Sequence, residues 1–597
     1  MNRTPPADTA DRPLDALREI LAGRGLDGWY VGREDMFQGE EVPASEERLA
    51  FISGFTGSAG FGLILSDEAA LFSDGRYTLQ MANQTDPAQW QTFTLPEADL
   101  GGFLAGRQLT GARIGVDPRL ITVRGFERLA ERCRDAGAEL VADDANPVDA
   151  VWRDQPAPPA TPVVPHGLEY SGLASVDKRR TLAAELSREG LSAQVINQSD
   201  SVAWLLNARA DDIAGLPVPR SFATLHADGS VDWFIQPERI TDAMHQALDN
   251  RVAIFPPEEM SARLGQLSGR VGLDRTTCNA AIAETLRDAG VEVVANTDPV
   301  VLPRAIKNET EQQGARDAQR RDARAMIRFS RWLAEHPAIE QESELSVAAA
   351  LLGFREQNPD PVPMNGISFN TISAFAGHAA IAHYAVSEDS SLPLSKGQML
   401  LVDSGGQYHN GTTDITRVWA IGGQATDRQR RDYCLTLKGH LALARQAFPT
   451  GTMGHHLDAL TRQFMWAEGI DFQHGTGHGI GSYLSVHEGP QGISKKPGKA
   501  ALQAGMLLSN EPGIYREGES GVRIENVELV VTRADGFLAF ETLTLVPYDR
   551  NLIDLSLLTP EEIAQIDAYH ARVLAEVGPD LDGADLDHLR QTTEPLA

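Results

Sequence analysis

The stretch His474–Glu488, HGTGHGIGSYLSVHE, places three histidines within fourteen residues and glycines at 475, 477, 479 and 481. Each glycine costs a helix about 1 kcal/mol relative to alanine, so an extended chain is predicted here. Side-chain alternation then sets His474, Thr476 and His478 on one face, and the glycines allow close backbone approach on the other. Imidazoles so spaced suit metal ligation or proton transfer; a glycine-rich loop with incidental histidines is the alternative. Carboxylates elsewhere weigh on the choice. Asp403 lies in MLLVDSGGQY and Asp414 in GTTDITRVW. If these runs pair as a hairpin with an even-length loop, their odd separation places both acids on one face. Glu511 ends the run GMLLSN, and Glu525 interrupts VRIENVELVV. Any one of the four taken singly reads more readily as a solvent-facing strand position. Four together are different, because buried carboxylates repel unless they are protonated or neutralised by cations. Hard oxygen donors with one imidazole suit a pair of manganese-like divalent ions better than a closed zinc site. Two such ions, roughly 3.5–4 Å apart, generate hydroxide and polarise a carbonyl.

The elements that must position these residues fall into three stretches. In the first, PLDALREILAGR (13–24) is predicted to form an amphipathic helix, with a short strand at Gly28–Val31 after it. Alternating apolar runs and turn dipeptides then extend to about residue 142, making an α/β domain. QPAPPATPVVP (155–165) has five prolines in eleven positions and reads as a linker. A second α/β stretch has loosely the same grammar and includes a hairpin, SFATLHADGSVDWFI, turning at Asp228-Gly229. The third opens on long charged amphipathic helices near 307–336 and 343–357. Strands at 398–404 and 413–420, helices near 426–447 and 454–468, and strands at 505–515 and 521–531 follow. Thr559-Pro560-Glu561-Glu562 is a capping box that starts a last helix, and the final twenty or so residues read as a loose tail. The expected domains are 1–155, 156–308 and 309–597.

At 597 residues the chain exceeds one core. A net charge of 53 − 83 = −30 disfavours nucleic acid and anionic membrane surfaces as partners. Cys133, Cys278 and Cys434 are too scattered for a zinc ribbon or a disulfide framework. With no apolar leader and no run of about 18 apolar residues, a cytoplasmic protein is expected.

Several motifs occur together and in order: IAHYA, LVDSGGQYHNGTTDITR, HGTGHGIGSYLSVHEGP, NEPGIY and GVRIENV. In these the C-terminal half resembles the pita-bread metallopeptidase family, which includes methionine aminopeptidase, prolidase, aminopeptidase P and creatinase. FISGFTGSAG, LFSDGRYTLQ, VWRDQP and VAWLLNARADDI extend the resemblance to the three-domain cytosolic aminopeptidase P branch. The implied fold is α/β (α+β), with two creatinase-like N-terminal domains before a pita-bread catalytic domain. The implied activity is hydrolysis of the N-terminal Xaa-Pro bond of peptides; prolidase is the nearest alternative, and an inactive binding relative a more distant one. The implied cofactors are two divalent ions, manganese first, with zinc or cobalt as alternatives. By the resemblance Asp403 binds one ion, Asp414 and Glu525 bridge both, and His478 and Glu511 complete the set of residues that bind the second ion. A bridging hydroxide is the implied nucleophile, with Glu511 accepting its proton. His383 and His487 would bind the scissile carbonyl or oxyanion, and His474 the residue after the scissile bond. Tyr515 and Arg523 match supporting positions, and Arg76 matches a residue near the active-site entrance. A homodimer is the family expectation. His378, His409, His440, His455 and His456 are called on by no motif. Two departures stand out: Phe375-Ala376-Gly377-His378-Ala379 replaces a Gly-Pro turn and brings an extra histidine, which bears on pocket shape, and QGEEV leaves Glu40 an uncertain contributor.

Overall fold

The computed structural model describes residues 13–96, 99–358 and 360–596. Residues 1–12, on which the expected absence of a leader partly rests, lie outside them. The chain forms two compact units, one made of residues 1–165, 175–213 and 218–299, the other of residues 166–174, 214–217 and 300–597.

The first unit contains two six-stranded sheets built on one plan. The first runs Trp90–Leu95, Ala69–Asp74, Phe61–Leu65, Gly28–Gly32, Arg113–Val116, Glu139–Ala142. The second runs Val252–Phe255, Val231–Phe234, Phe222–His226, Ala193–Ile196, Arg270–Leu273, Glu292–Ala295. Strand directions also match, with two antiparallel pairings in the middle and parallel ones outside. The loose similarity of grammar in the sequence is thus a duplicated topology. The hairpin turns as expected, with Gly229 at φ +85°.

The second unit wraps helices around small antiparallel sheets. Helix Glu309–Glu335 starts at a capping box between Asn308 and Glu311, and Pro560–Val577 starts at the predicted one between Thr559 and Glu562. Their apolar faces meet the sheet Ile372–Phe375, Met399–Ser404, Ile415–Ala420 in a common core that includes Phe329, Leu400, Val402, Trp419 and Val573. Every residue of the last two strands is buried, which is why a carboxylate on them cannot be a solvent-facing position. A five-stranded sheet orders Glu488–Ile493, Gly477–Gly479, Leu507–Asn510, Asn526–Thr532 and Leu538–Thr542, and a hairpin pairs Gly513–Arg516 with Ser520–Arg523.

Two expectations are corrected. The strands expected at 505–515 and 521–531 are each broken in two, at Glu511-Pro512 and at Ile524-Glu525. Pro512 cannot donate to a ladder, and each break falls on a candidate ligand. The C-terminal stretch is no loose tail: Gly583–Thr592 is a helix with Leu589 fully buried and Asp585 paired to Arg328 and Arg331. Among the described residues no helix is long and apolar enough to cross a membrane.

Candidate active site

The register of the central sheet pairs Asp403 with Thr416, so Asp414 falls opposite Gly405 and both acids take one face. Glu525 is delivered by the break between strands, where its N–H donates to the Thr416 carbonyl (3.1 Å). Glu511 is held by the glycine-rich stretch, donating its N–H to the Thr476 carbonyl (2.8 Å). The extended conformation predicted there is a three-residue strand, Gly477–Gly479. A Cβ on Gly477 would sit 1.9 Å from the Ser509 carbonyl oxygen, so only glycine permits this approach. Thr476 does something else: fully buried, its hydroxyl bonds Asp458 (2.7 Å) and Thr461 (3.0 Å).

Ligand-type atoms of Asp414, His478 and Glu525 all lie within 4.8 Å of one another. His478 Nε2 is 3.5 Å from Asp414 Oδ2 and 3.5 Å from Glu511 Oε1. Its Nδ1 faces the Gly479 carbonyl at 2.9 Å. A carbonyl only accepts, so Nδ1 carries the proton and the neutral ring turns its Nε2 lone pair toward the carboxylates. Asp403 Oδ2 accepts from Arg523 Nη2 (2.6 Å), whereas its other oxygen is buried without a hydrogen-bond partner. Thr416 donates to Glu525 Oε2 (2.8 Å) and accepts from Arg523 Nε (3.2 Å). Arg523 Nη1 reaches the Tyr515 hydroxyl (2.8 Å), which pairs with His474 Nε2 (2.7 Å). The exposed ring of His487 lies edge-on to His478, with centroids 4.4 Å apart. His383 is half-buried in the turn after Ala376–Ala380.

Burial, then repulsion from Asp403 and Glu511, pushes the Asp414 carboxyl well above its usual range. Burial and repulsion from Asp414, Asp403 and Glu511 do the same to Glu525. Burial raises Glu511 to about 7 against the pull of Arg523. Desolvation and like charge therefore oppose full ionisation of the set. With a buried carboxylate oxygen lacking any partner, these residues fit a cation site: hard donors, mutual repulsion and an oriented imidazole.

Glu488 stands apart from this set. It is buried and ion-paired with Lys307 and Arg304. His378 stands apart too: its ring pairs with the carboxylate of buried Glu344, so the extra histidine of the departing turn braces that turn instead. In the first unit, Arg76 forms a two-pronged pair with Asp74, and Glu40 accepts from Ser58.

The motifs did not single out several supporting residues. Thr416 and Arg417 follow Asp414 in TTDITR. Arg417 donates to the Glu525 carbonyl (2.7 Å), the Thr416 carbonyl (3.0 Å) and Asn526 Oδ1 (2.8 Å). His440, fully buried, holds Asn510 and Asn526, the cross-strand pair beside Glu511 and Glu525. Polar residues inside an otherwise apolar run, as at 416 and 417, are the signal in the sequence.

Comparison with known proteins bears on this geometry. Residues 313–533 match the model of metallopeptidase family M24, and 536–596 match the C-terminal region of peptidase M24. Residues 13–148 and 154–311 each match a creatinase/prolidase N-terminal domain. A probable Xaa-Pro aminopeptidase P of Laccaria bicolor is 36% identical over 99% of this chain and 94% of its own. Aminopeptidase P1 of Lotus japonicus is 33% identical over 98% of this chain and 100% of its own. The X-prolyl aminopeptidase of Caenorhabditis elegans, described as a cytosolic enzyme with a di-nuclear active site, superposes with a TM-score of 0.92 at 33% identity, over 99% of this chain and 100% of that one. Two creatinase-like sheets ahead of a buried carboxylate–imidazole site define a member of the M24 metallopeptidase class. Within that class, the chain belongs to the Xaa-Pro aminopeptidase P family.

Proposed function

We propose that this protein removes the N-terminal residue from peptides whose second residue is proline. The observation that carries the proposal is the buried set of Asp414, Glu525 and His478, with Asp403 and Glu511 around it, in a chain that matches aminopeptidase P proteins from end to end. Those five residues would hold two divalent ions, and manganese is the one we propose, because oxygen donors dominate. When bound, the ions supply positive charge that polarises a scissile carbonyl and acidifies water.

The chain's own groups account for the rest. Glu511, whose carboxyl burial raises to about 7 in the ion-free chain, is the residue we propose as proton acceptor. His487, exposed beside His478, and His383 are the proposed donors to the oxygen that gains charge at the scissile carbon. His474, Tyr515 and Arg523 form one hydrogen-bonded line ending on Asp403. That line steadies the site, and we assign it to substrate placement. Proline lacks an N–H and has a fixed φ, so a subsite that accepts it gains nothing from a hydrogen-bond acceptor facing that nitrogen. We keep Arg76 as an entrance residue, domain limits near 155 and 308, a homodimer and a cytoplasmic location as further parts of the proposal.

Hydrolysis of an Xaa-Pro-Xaa tripeptide beside an Xaa-Pro dipeptide, with metal-stripped protein before and after manganese addition, tests it. Tripeptide cleavage restored by manganese is the expected result. Cleavage of the dipeptide alone selects a prolidase, and metal-independent silence on both selects a binding protein.

A further inference from the structure

Helix Glu344–Glu356 begins on a carboxylate with no exposed surface. Its two oxygens take four donors. Oε1 accepts from the Phe375 N–H (2.7 Å) and lies 3.0 Å from His378 Nδ1. Oε2 accepts from the Tyr384 hydroxyl (3.0 Å) and the Leu392 N–H (2.9 Å). The Glu344 N–H returns a bond to the Leu392 carbonyl (3.1 Å). One side chain therefore fastens the chain at 375, 378, 384 and 392.

Between those points residues 381–392 form neither helix nor strand, and His383 lies among them, one residue before Tyr384. Ordering such a segment costs about 1–2 kcal/mol per residue in backbone entropy, so its rigidity has to come from side-chain anchors. Tyr384 is gripped from two more sides: the His378 ring packs on it with centroids 4.5 Å apart, and its hydroxyl lies 2.9 Å from Ser390 Oγ. The turn 376–380 is in turn pressed against the strand that carries Arg523. A Cβ on Gly521 would lie 1.8 Å from the Ala379 carbonyl oxygen. Asp403 and His478 lie on sheet strands, and Asp414 and Glu525 flank strands of the same sheets; Glu344 reaches that framework through the Phe375 N–H, on the strand paired with Met399–Ser404.

We propose that Glu344 is a positioning residue for His383: its buried carboxylate, with His378 and Tyr384, holds the 376–392 segment so that the His383 ring keeps one place. This rests on the catalytic assignment of His383 under the proposed function. Placement matters because a group displaced by about 1 Å from its working geometry loses much of its effect.

The test is a double-mutant cycle on the manganese-loaded full chain with an Xaa-Pro-Xaa tripeptide, joined to hydrogen exchange. Glu344→Gln keeps the shape but turns an amide N–H₂ toward two of the donors. It is expected to lower kcat about tenfold or more with KM within about twofold, at an unchanged two ions per chain. Exchange should rise across 376–392 and stay level across 399–420. In a His383→Ala background the same change should cost less than about twofold. Tyr384→Phe, which removes one donor of four, gives a smaller shift in the same direction and serves if Glu344→Gln does not fold. Full additivity with His383→Ala, or unchanged exchange across 376–392, overturns the proposal. If His383→Ala alone leaves kcat unchanged, the catalytic assignment of His383 fails separately, and exchange over 376–392 alone then decides whether Glu344 holds the segment.

Discussion

His440 offers a quantitative test of how the two glutamates at the strand breaks are held. Its ring has no exposed surface. Nδ1 lies 3.0 Å from the Asn510 carbonyl and Nε2 3.0 Å from Asn526 Nδ2. The carbonyl demands a donor and the amide N–H₂ demands an acceptor, so only the neutral ring protonated on Nδ1 satisfies both. Asn510 closes the link by donating to the His440 carbonyl (3.0 Å), and Asn526 also accepts from Arg417. Burial first, and the charge of Arg417 second, lower the ring's pKa from 6.5 to about 3. A histidine depressed on folding binds fewer protons in the native than in the unfolded state. Its contribution to stability is therefore complete above the unfolded value and is lost as pH falls below it, down to the folded value. Between pH 7 and pH 5 the unfolded ring goes from mostly neutral to almost fully protonated, about 1.5 pH units below its midpoint, while the native ring stays neutral. At 1.36 kcal/mol per unit this is a loss of about 2 kcal/mol. His440→Gln keeps a donor and an acceptor and cannot titrate. Comparing hydrogen exchange of the 427–444 segment at pH 7 and 5, in metal-stripped protein so that ion release plays no part, isolates the difference. Wild type should lose about 2 kcal/mol more protection than the variant. Equal losses, or a ring signal titrating near 6.5, would falsify the argument.

Two further outcomes follow from buried charge. Lys307→Met leaves Glu488 buried without the ammonium that pairs with it beside Arg304, which should cost roughly 3 kcal/mol and, because His487 is the next residue, lower kcat as well; a change in thermal midpoint equivalent to under about 1 kcal/mol would contradict the pairing. Glu525→Ala removes the carboxylate that Thr416 steadies and should abolish activity and reduce manganese bound per chain, with far-UV circular dichroism unchanged; full activity would refute the assignment of Glu525 as a ligand.

Local physics made much of this molecule legible in advance. The capping boxes at Asn308 and Thr559 involve residues three apart, so their chemistry is visible without the fold. Asp403 and Asp414 share a face by alternation and an even loop alone. The glycines of HGTGHGIG forbid a helix and announce close backbone approach, which Gly477 makes against Ser509. Other features depend on partners far along the chain. The helix Gly583–Thr592 is mostly polar, and it is held by Leu589 in the core and by Asp585 meeting Arg328 and Arg331. Glu344, His378 and His440 look unremarkable in sequence because their partners lie at 392, 384, 510 and 526.

The sequence by itself determined most element types outside the C-terminal stretch, the candidate ligands and the family, because these rest on spacing, propensity and motif order. Only the tertiary structure decided which polar residues are buried together, where strands break to release Glu511 and Glu525, and which of the histidines brace rather than line the site. The physical reason is that burial and like-charge repulsion act between neighbours in space, and adjacency in space is what the fold adds.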